Sequence, residues 1–238
     1  RLNDVTPDGA SSRVTYGVLN LTHRNSHEFP EPLLPGENYQ IRLQLNDIAQ
    51  VFPVGHRIRI ALSNTLWPLF WPSPNLVTLT LQTKGSHLEL PVRPSRETDQ
   101  ALRPFDRPES SKPQSAEQLE SPTFERLVER DDVLSESRLR VVWDTGMLRL
   151  NDLGWEHGSV CRKNYSVRDG DPNSARIDIH WTKRFRRPDA ELNIRTETHS
   201  SFTSTPTHFH FAGEIEVFEH DQKTYFNTYS KLFVRELN

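Results

Sequence analysis

Residues 52–74 read FPVGHRIRIALSNTLWPLFWPSP, and this stretch decides the fold class. Gly55 follows Pro53-Val54 and permits a turn that a residue with a Cβ resists. Ile58, Ile60 and Leu62 then alternate with Arg57, Arg59 and Ala61, the period of a half-buried strand. Trp67-Pro68 and Trp71-Pro72 end it, because each proline removes a ladder donor. The result is a stiff, apolar loop at a strand end, and such a loop needs something to bury it.

The same alternation recurs on either side. Leu2 to Val5 reads as a strand before the Pro7-Asp8-Gly9 turn, and Arg13 to Leu19 returns from it as a hairpin. Thr22 to Gly36, with three prolines, has no usable period and reads as a long connection. Tyr39 to Leu45, Val77 to Leu81 and Leu88 to Val92 alternate again, each predicting a strand with one buried face. Short alternating segments with turn residues between them, and no helical period of useful length, predict an all-β chain. Its first part, residues 1–94, reads as a jelly-roll β-sandwich.

From Pro94 to Pro122 the apolar period disappears among prolines and polar residues, so 95–130 reads as a Pro-rich linker or strap. A short helical turn is expected near Ser115 to Leu119. Residues 131–238 are strand-rich: Leu139, Val141 and Trp143 alternate with arginines, and Ile177, Ile179 and Trp181 face away from Arg176, Asp178 and His180. Phe209, Phe211, Ile215 and Val217 share a face, with Gly213 a bend or bulge between them. About seven successive strands predict a second antiparallel β-meander or partial barrel.

Composition narrows the function. The 29 basic and 32 acidic residues nearly cancel and form no basic stripe, which argues against nucleic acid and anionic membranes as partners. No apolar run approaches the ~20 residues of a membrane span. The single cysteine, Cys161, excludes an intramolecular disulfide framework, fits a reducing compartment and leads to the expectation of a cytoplasmic protein. No cofactor motif is present. The G-x-S-x-G elbow of an α/β-hydrolase is missing, so the chain by itself is expected to be inactive.

His208-Phe209-His210 has a metal-ligand spacing, yet both imidazoles lie opposite the Phe209/Phe211 face, where a solvated role outweighs a metal site. His23 and His27 read as hydrogen-bonding groups of their loop. Trp67, Phe70 and Trp71 are the best interaction candidates: they can stack on sugars, but clustered aromatics at a sandwich rim more often pack on a core or a neighbouring domain.

LNDVTPDG at residues 2–9, RVTYGVLNLTHRNSHEFPEPLLPGE at 13–37 and GHRIRIALSNTLWP at 55–68 resemble the C-terminal non-catalytic domain of X-Pro dipeptidyl-peptidases and cocaine-esterase-like (CocE/NonD) acyl hydrolases. The later Trp143-Asp144-Thr145-Gly146 and Asp171-Pro172-Asn173-Ser174-Ala175 resemble the β-rich tail of some of these proteins. The resemblance implies a galactose-binding-like sandwich attached to an α/β-hydrolase domain that carries a Ser-Asp-His triad. No residue of this chain matches the triad. It also implies sandwich strands ahead of Leu2, so the chain is expected to be a fragment that lacks them and self-associates. The expected partner is the α/β-hydrolase domain, with Trp67, Phe70 and Trp71 as interface or substrate-access residues. A free-standing carbohydrate-binding module and an oligomerisation element, assembling a homo-oligomer, are the competing readings.

Overall fold

The computed structural model describes residues 1–237. The protein is all-β: twelve strands and three short 3-10 turns make up the regular structure of the described residues. All pairings are antiparallel, and neither sheet closes into a barrel.

The first sheet has three strands. β1 (Leu2–Val5) lies between β2 (Ser11–Thr15) and β3 (Arg57–Ile60). Leu2 and Val5 of this central strand are buried. The two turns that lead into this sheet meet each other. Gly55, at φ +89°, sits where a Cβ would touch the Pro7 ring, and His56 Nδ1 lies 2.8 Å from the Asp4 carboxylate. The Asp-Val and Gly-His motifs, 52 residues apart, are thus one construction across β1 and β3. Asp4→Asn removes a half-buried charge-assisted hydrogen bond. It should cost about 1–3 kcal/mol in urea unfolding, with His56→Ala costing a similar amount and the double mutant little more.

Tyr39–Leu45, Val77–Leu81 and Leu88–Val92, read above as strands, join no ladder. Alternation defines a face, whereas a strand also needs a neighbouring backbone to pair with. Just after the first of these segments, Asn46 is tied to the end of β2: its N–H donates to Tyr16 C=O at 3.0 Å, and Thr15 Oγ1 donates to its C=O at 2.8 Å.

The second sheet has nine strands. β4 (Ala116–Glu120) and β5 (Thr123–Asp131) arise within the span read as a strap, and Ala116–Glu120 is a strand where a helical turn was expected. Pairing with Met147–Leu150 overrides the weak local preference. They are followed by β6 (Glu136–Asp144), β7 (Met147–Leu150), β8 (Trp155–Arg168), β9 (Asp171–Arg187), β10 (Leu192–Ser204), β11 (His208–Glu219) and β12 (Gln222–Val234). The main path runs β12-β11-β10-β9-β8-β6-β5, a meander interrupted only by β7, which pairs with β4 and β8 beside it.

Register separates the two faces of this sheet. Leu139, Tyr165, Ile177, Phe202 and Phe211 are successive partners across β6, β8, β9, β10 and β11, forming one apolar row. Arg140, Asn164, Asp178, Ser201 and Ala212 make the adjacent row on the other face, which is polar and arginine-rich. Gly213 keeps register and leaves room for the Phe211 ring; the irregularity falls at Val217/Phe218 instead.

Candidate functional site

The loop after β3 turns tightly: Leu69 and Phe70 N–H both donate to Leu66 C=O, at 2.9 and 3.1 Å. The Trp67–Pro68 peptide is cis. The turn points Trp67 and Trp71 one way and Leu69 and Phe70 the other. Trp67 meets Trp71 edge to face at 5.2 Å and Tyr165 of β8 at 6.3 Å. Trp71 meets Phe202 of β10 at 4.9 Å and Phe209 of β11 at 6.0 Å, again edge to face, while Phe202 and Phe209 stack at 5.4 Å. Edge-to-face rings set the positive rim of one against the negative face of the next. Trp71 Nε1–H, the one polar group of the indole, donates to Ser204 Oγ at 2.8 Å. The loop therefore covers one end of the apolar face of the large sheet.

Arg235 closes this contact. It follows β12 and is 6% exposed, with its guanidinium 4.9 Å from the Phe209 ring centre. Nη1 donates to Asn173 Oδ1 and Ser204 Oγ, both at 3.2 Å, and to Thr205 C=O at 3.3 Å; Nη2 donates to Pro72 C=O. Asn173 Nδ2 adds a bond to Pro74 C=O at 2.9 Å. Burial lowers the Arg235 pKa from its ordinary value, and carbonyl and hydroxyl oxygens supply its hydrogen bonds. The planar fork of arginine suits it to join several carbonyls from two segments at once.

Sequence reading singled out the indoles but passed over Arg235, Ser204 and Asn173. Ser204, Asn173 and Arg235 are ordinary polar residues in their segments, and nothing in the sequence sets them apart. Phe70 is placed apart from the two indoles, on the outer side of the turn, and is 47% exposed. His208 Nδ1 lies 3.0 Å from Thr207 Oγ1, and His210 Nε2 lies 3.2 Å from Ser230 Oγ. Among the described residues no group of three His, Cys, Asp or Glu side chains is gathered to hold a metal ion. His23 and His27 face each other, Nδ1 to Nδ1, at 3.4 Å. Cys161 is buried on the apolar face, opposite Trp143 and Trp181, and desolvation raises its thiol pKa, which favours the protonated form. No helix among the described residues is long and apolar enough to cross a membrane.

The family model of the X-Pro dipeptidyl-peptidase C-terminal non-catalytic domain matches residues 1–104, and residues 105–238 lie outside it. No curated protein and no solved structure matches the chain. The matched segment contains the joined Asp4/His56 turns, β1 to β3 and the Trp67–Trp71 loop. Residues 1–104 are therefore similar to the X-Pro dipeptidyl-peptidase C-terminal non-catalytic domain.

Proposed function

We propose that this chain is a non-catalytic module that packs on an α/β-hydrolase domain of the X-Pro dipeptidyl-peptidase or acyl-esterase type and shapes access to its active site. The observation that carries the reading is surface area. The chain exposes 18342 Å², whereas a compact monomer of 27.6 kDa exposes about 11,000 Å². Many of the exposed large apolar side chains lie within the family-matched segment. On β3, Ile58 and Ile60 are 48% and 52% exposed, and Leu62, Leu69, Phe70, Leu79 and Leu81 are exposed as well. Exposed apolar side chains in such number within one segment point to a docking surface.

The division of the aromatic loop supports the same reading. Trp67 and Trp71 are engaged inside the chain, and Leu69 and Phe70 are presented outward at the end of β3. Phe70, Ile58 and Ile60 are then the groups that meet the catalytic domain, and the indoles fix the loop that carries them.

Hydroxyl-radical footprinting tests this. The chain is labelled alone and with an X-Pro-peptidase-type α/β-hydrolase domain from the same genome, supplied in trans. Phe70, Ile58 and Ile60 should lose most of their labelling in the mixture, while Trp67 and Trp71 stay unchanged. Equal labelling at Phe70 in both samples refutes the packing. Inhibitor-sensitive hydrolysis of a Gly-Pro substrate by the chain alone refutes the non-catalytic role.

A further inference from the structure

The nine-stranded sheet ends on β12 at one side and on β5 and the short β4 at the other, and each of these strands pairs on one side only. Proteins guard such edges against pairing with a second copy. Side chains alternate along a strand, so two copies joined edge to edge by a two-fold axis normal to the sheet pair residues whose numbers sum to an even value. This rule gives each edge a short set of self-registers.

β5 is guarded. Its centre reads Glu125-Arg126-Leu127-Val128-Glu129-Arg130. A register centred on Glu125, Arg126, Glu129 or Arg130 sets that residue against its own copy. Centring on Leu127 sets Glu125 against Glu129, and centring on Val128 sets Arg126 against Arg130. Every central register thus places like charges directly opposite, which destabilises the pair.

β12 carries no such guard. The pairing of β11 with β12 is irregular at Val217/Phe218, where Thr224 is skipped, so the regular edge begins at Tyr225. Between Tyr225 and Val234 the only charge is Lys231. Centring on Tyr229 pairs Tyr225 with Phe233, Phe226 with Leu232, Asn227 with Lys231 and Thr228 with Ser230. Aromatic and aliphatic groups meet on both faces, and the lysine meets an amide. Tyr225, Phe226, Tyr229, Leu232 and Phe233 are all exposed, ready for these contacts.

We infer that β12 is a self-association edge, pairing with β12 of a second copy about a two-fold axis at Tyr229 to join the two nine-stranded sheets. The edge lies outside the family-matched segment, and the inference stands apart from the docking of a hydrolase domain.

The experiment is sedimentation of the full chain, with single-cysteine crosslinking in a Cys161→Ser background. A dimer is expected, and Tyr229→Lys, which opposes two cations on the axis, should weaken it about tenfold. Tyr229→Phe and the opposite-edge variant Leu127→Lys should leave it intact, and circular dichroism checks that each variant folds. Tyr229→Cys should crosslink to itself, because opposed Cα atoms in an antiparallel pair lie about 4.5–5.5 Å apart, within disulfide reach. Asn227→Cys should crosslink far less. A wild-type monomer overturns the inference. So does a dimer that survives Tyr229→Lys, or one in which residue 227 crosslinks as readily as residue 229.

Discussion

Trp71→Ala should destabilise the chain by about 3 kcal/mol and release the first β-unit from the large sheet. The indole contacts Trp67, Phe202 and Phe209 and donates to Ser204, so truncation removes three aromatic contacts and leaves the Ser204 hydroxyl with Arg235 as its donor. Arg235→Ala should have a similar effect by a different route. Pro72 C=O, Thr205 C=O and Asn173 Oδ1 would each lose a charged donor inside the contact, and an unsatisfied buried acceptor costs about 1–3 kcal/mol. Arg235→Met, which keeps much of the apolar stem, should recover packing without recovering docking. Because Trp71 and Arg235 share Ser204 and Phe209, the double mutant should lose less than the sum of the two.

The measurement is equilibrium unfolding followed by tryptophan fluorescence, together with limited proteolysis. Release of the loop should shift its emission to the red and speed cleavage between residues 102 and 115, the segment without regular structure between the two sheets. Unchanged cleavage and an unchanged midpoint for Trp71→Ala would show that the loop does not hold the units together. Native domains are stable by only about 5–15 kcal/mol, so a loss of this size is readily measured.

The second large effect is expected where three backbones crowd together. Asp144-Thr145-Gly146 turns β6 into β7, with Gly146 at φ +65° and its N–H donating to Asp144 Oδ1 at 2.8 Å. A Cβ on Gly146 would overlap the Glu120 carbonyl at the end of β4, and a Cβ on Gly158 of β8 would overlap the Gly146 carbonyl. Gln118 Nε2 binds this stack together through Glu120, Thr145 and Met147 carbonyls, and Met147 is among the most buried side chains of the chain. Gly158→Ala should cost about 3 kcal/mol from overpacking alone, and Gly146→Ala should cost more, since left-handed backbone strain adds about 1–2 kcal/mol. Gly170→Ala is the control. It has a similar φ of +69° but open space around it, so only the strain should appear. Thermal melts of the three variants decide the matter: equal shifts for Gly158→Ala and Gly170→Ala would mean that the close approach carries no cost.

The aromatic loop shows how much of the site was legible. Two indoles beside two prolines at a strand end say that the segment is stiff, apolar and in need of cover. They do not say that Tyr165, Phe202 and Phe209 supply it, because those residues come from three strands more than 90 positions downstream. Phe70 belongs to the same apolar cluster in sequence, yet the Leu66–Phe70 turn sends it to the opposite side. Arg235 was illegible for a related reason: a lone arginine after a strand usually ends in solvent, and only the convergence of Pro72, Asn173, Ser204 and Thr205 makes it a joint.

The all-β class, the alternation that makes one face of each strand apolar, and the turns at Pro7-Asp8-Gly9 and Asp144-Thr145-Gly146 are legible in the amino-acid sequence alone, as is the likeness of residues 1–104 to a known non-catalytic domain. These are local properties, written in a period of two and in residues that tolerate positive φ. Only the tertiary structure decided which alternating segments pair. Leu139 and Tyr165 became neighbours in a ladder, while Tyr39–Leu45 and Val77–Leu81 did not, although their patterns are equally regular. A strand is completed by the backbone beside it, and no residue of the strand encodes that neighbour. The Phe52–Pro74 stretch contains both cases: Arg57–Ile60 found β1 and became a strand, and the indoles beyond it found the face of the second sheet.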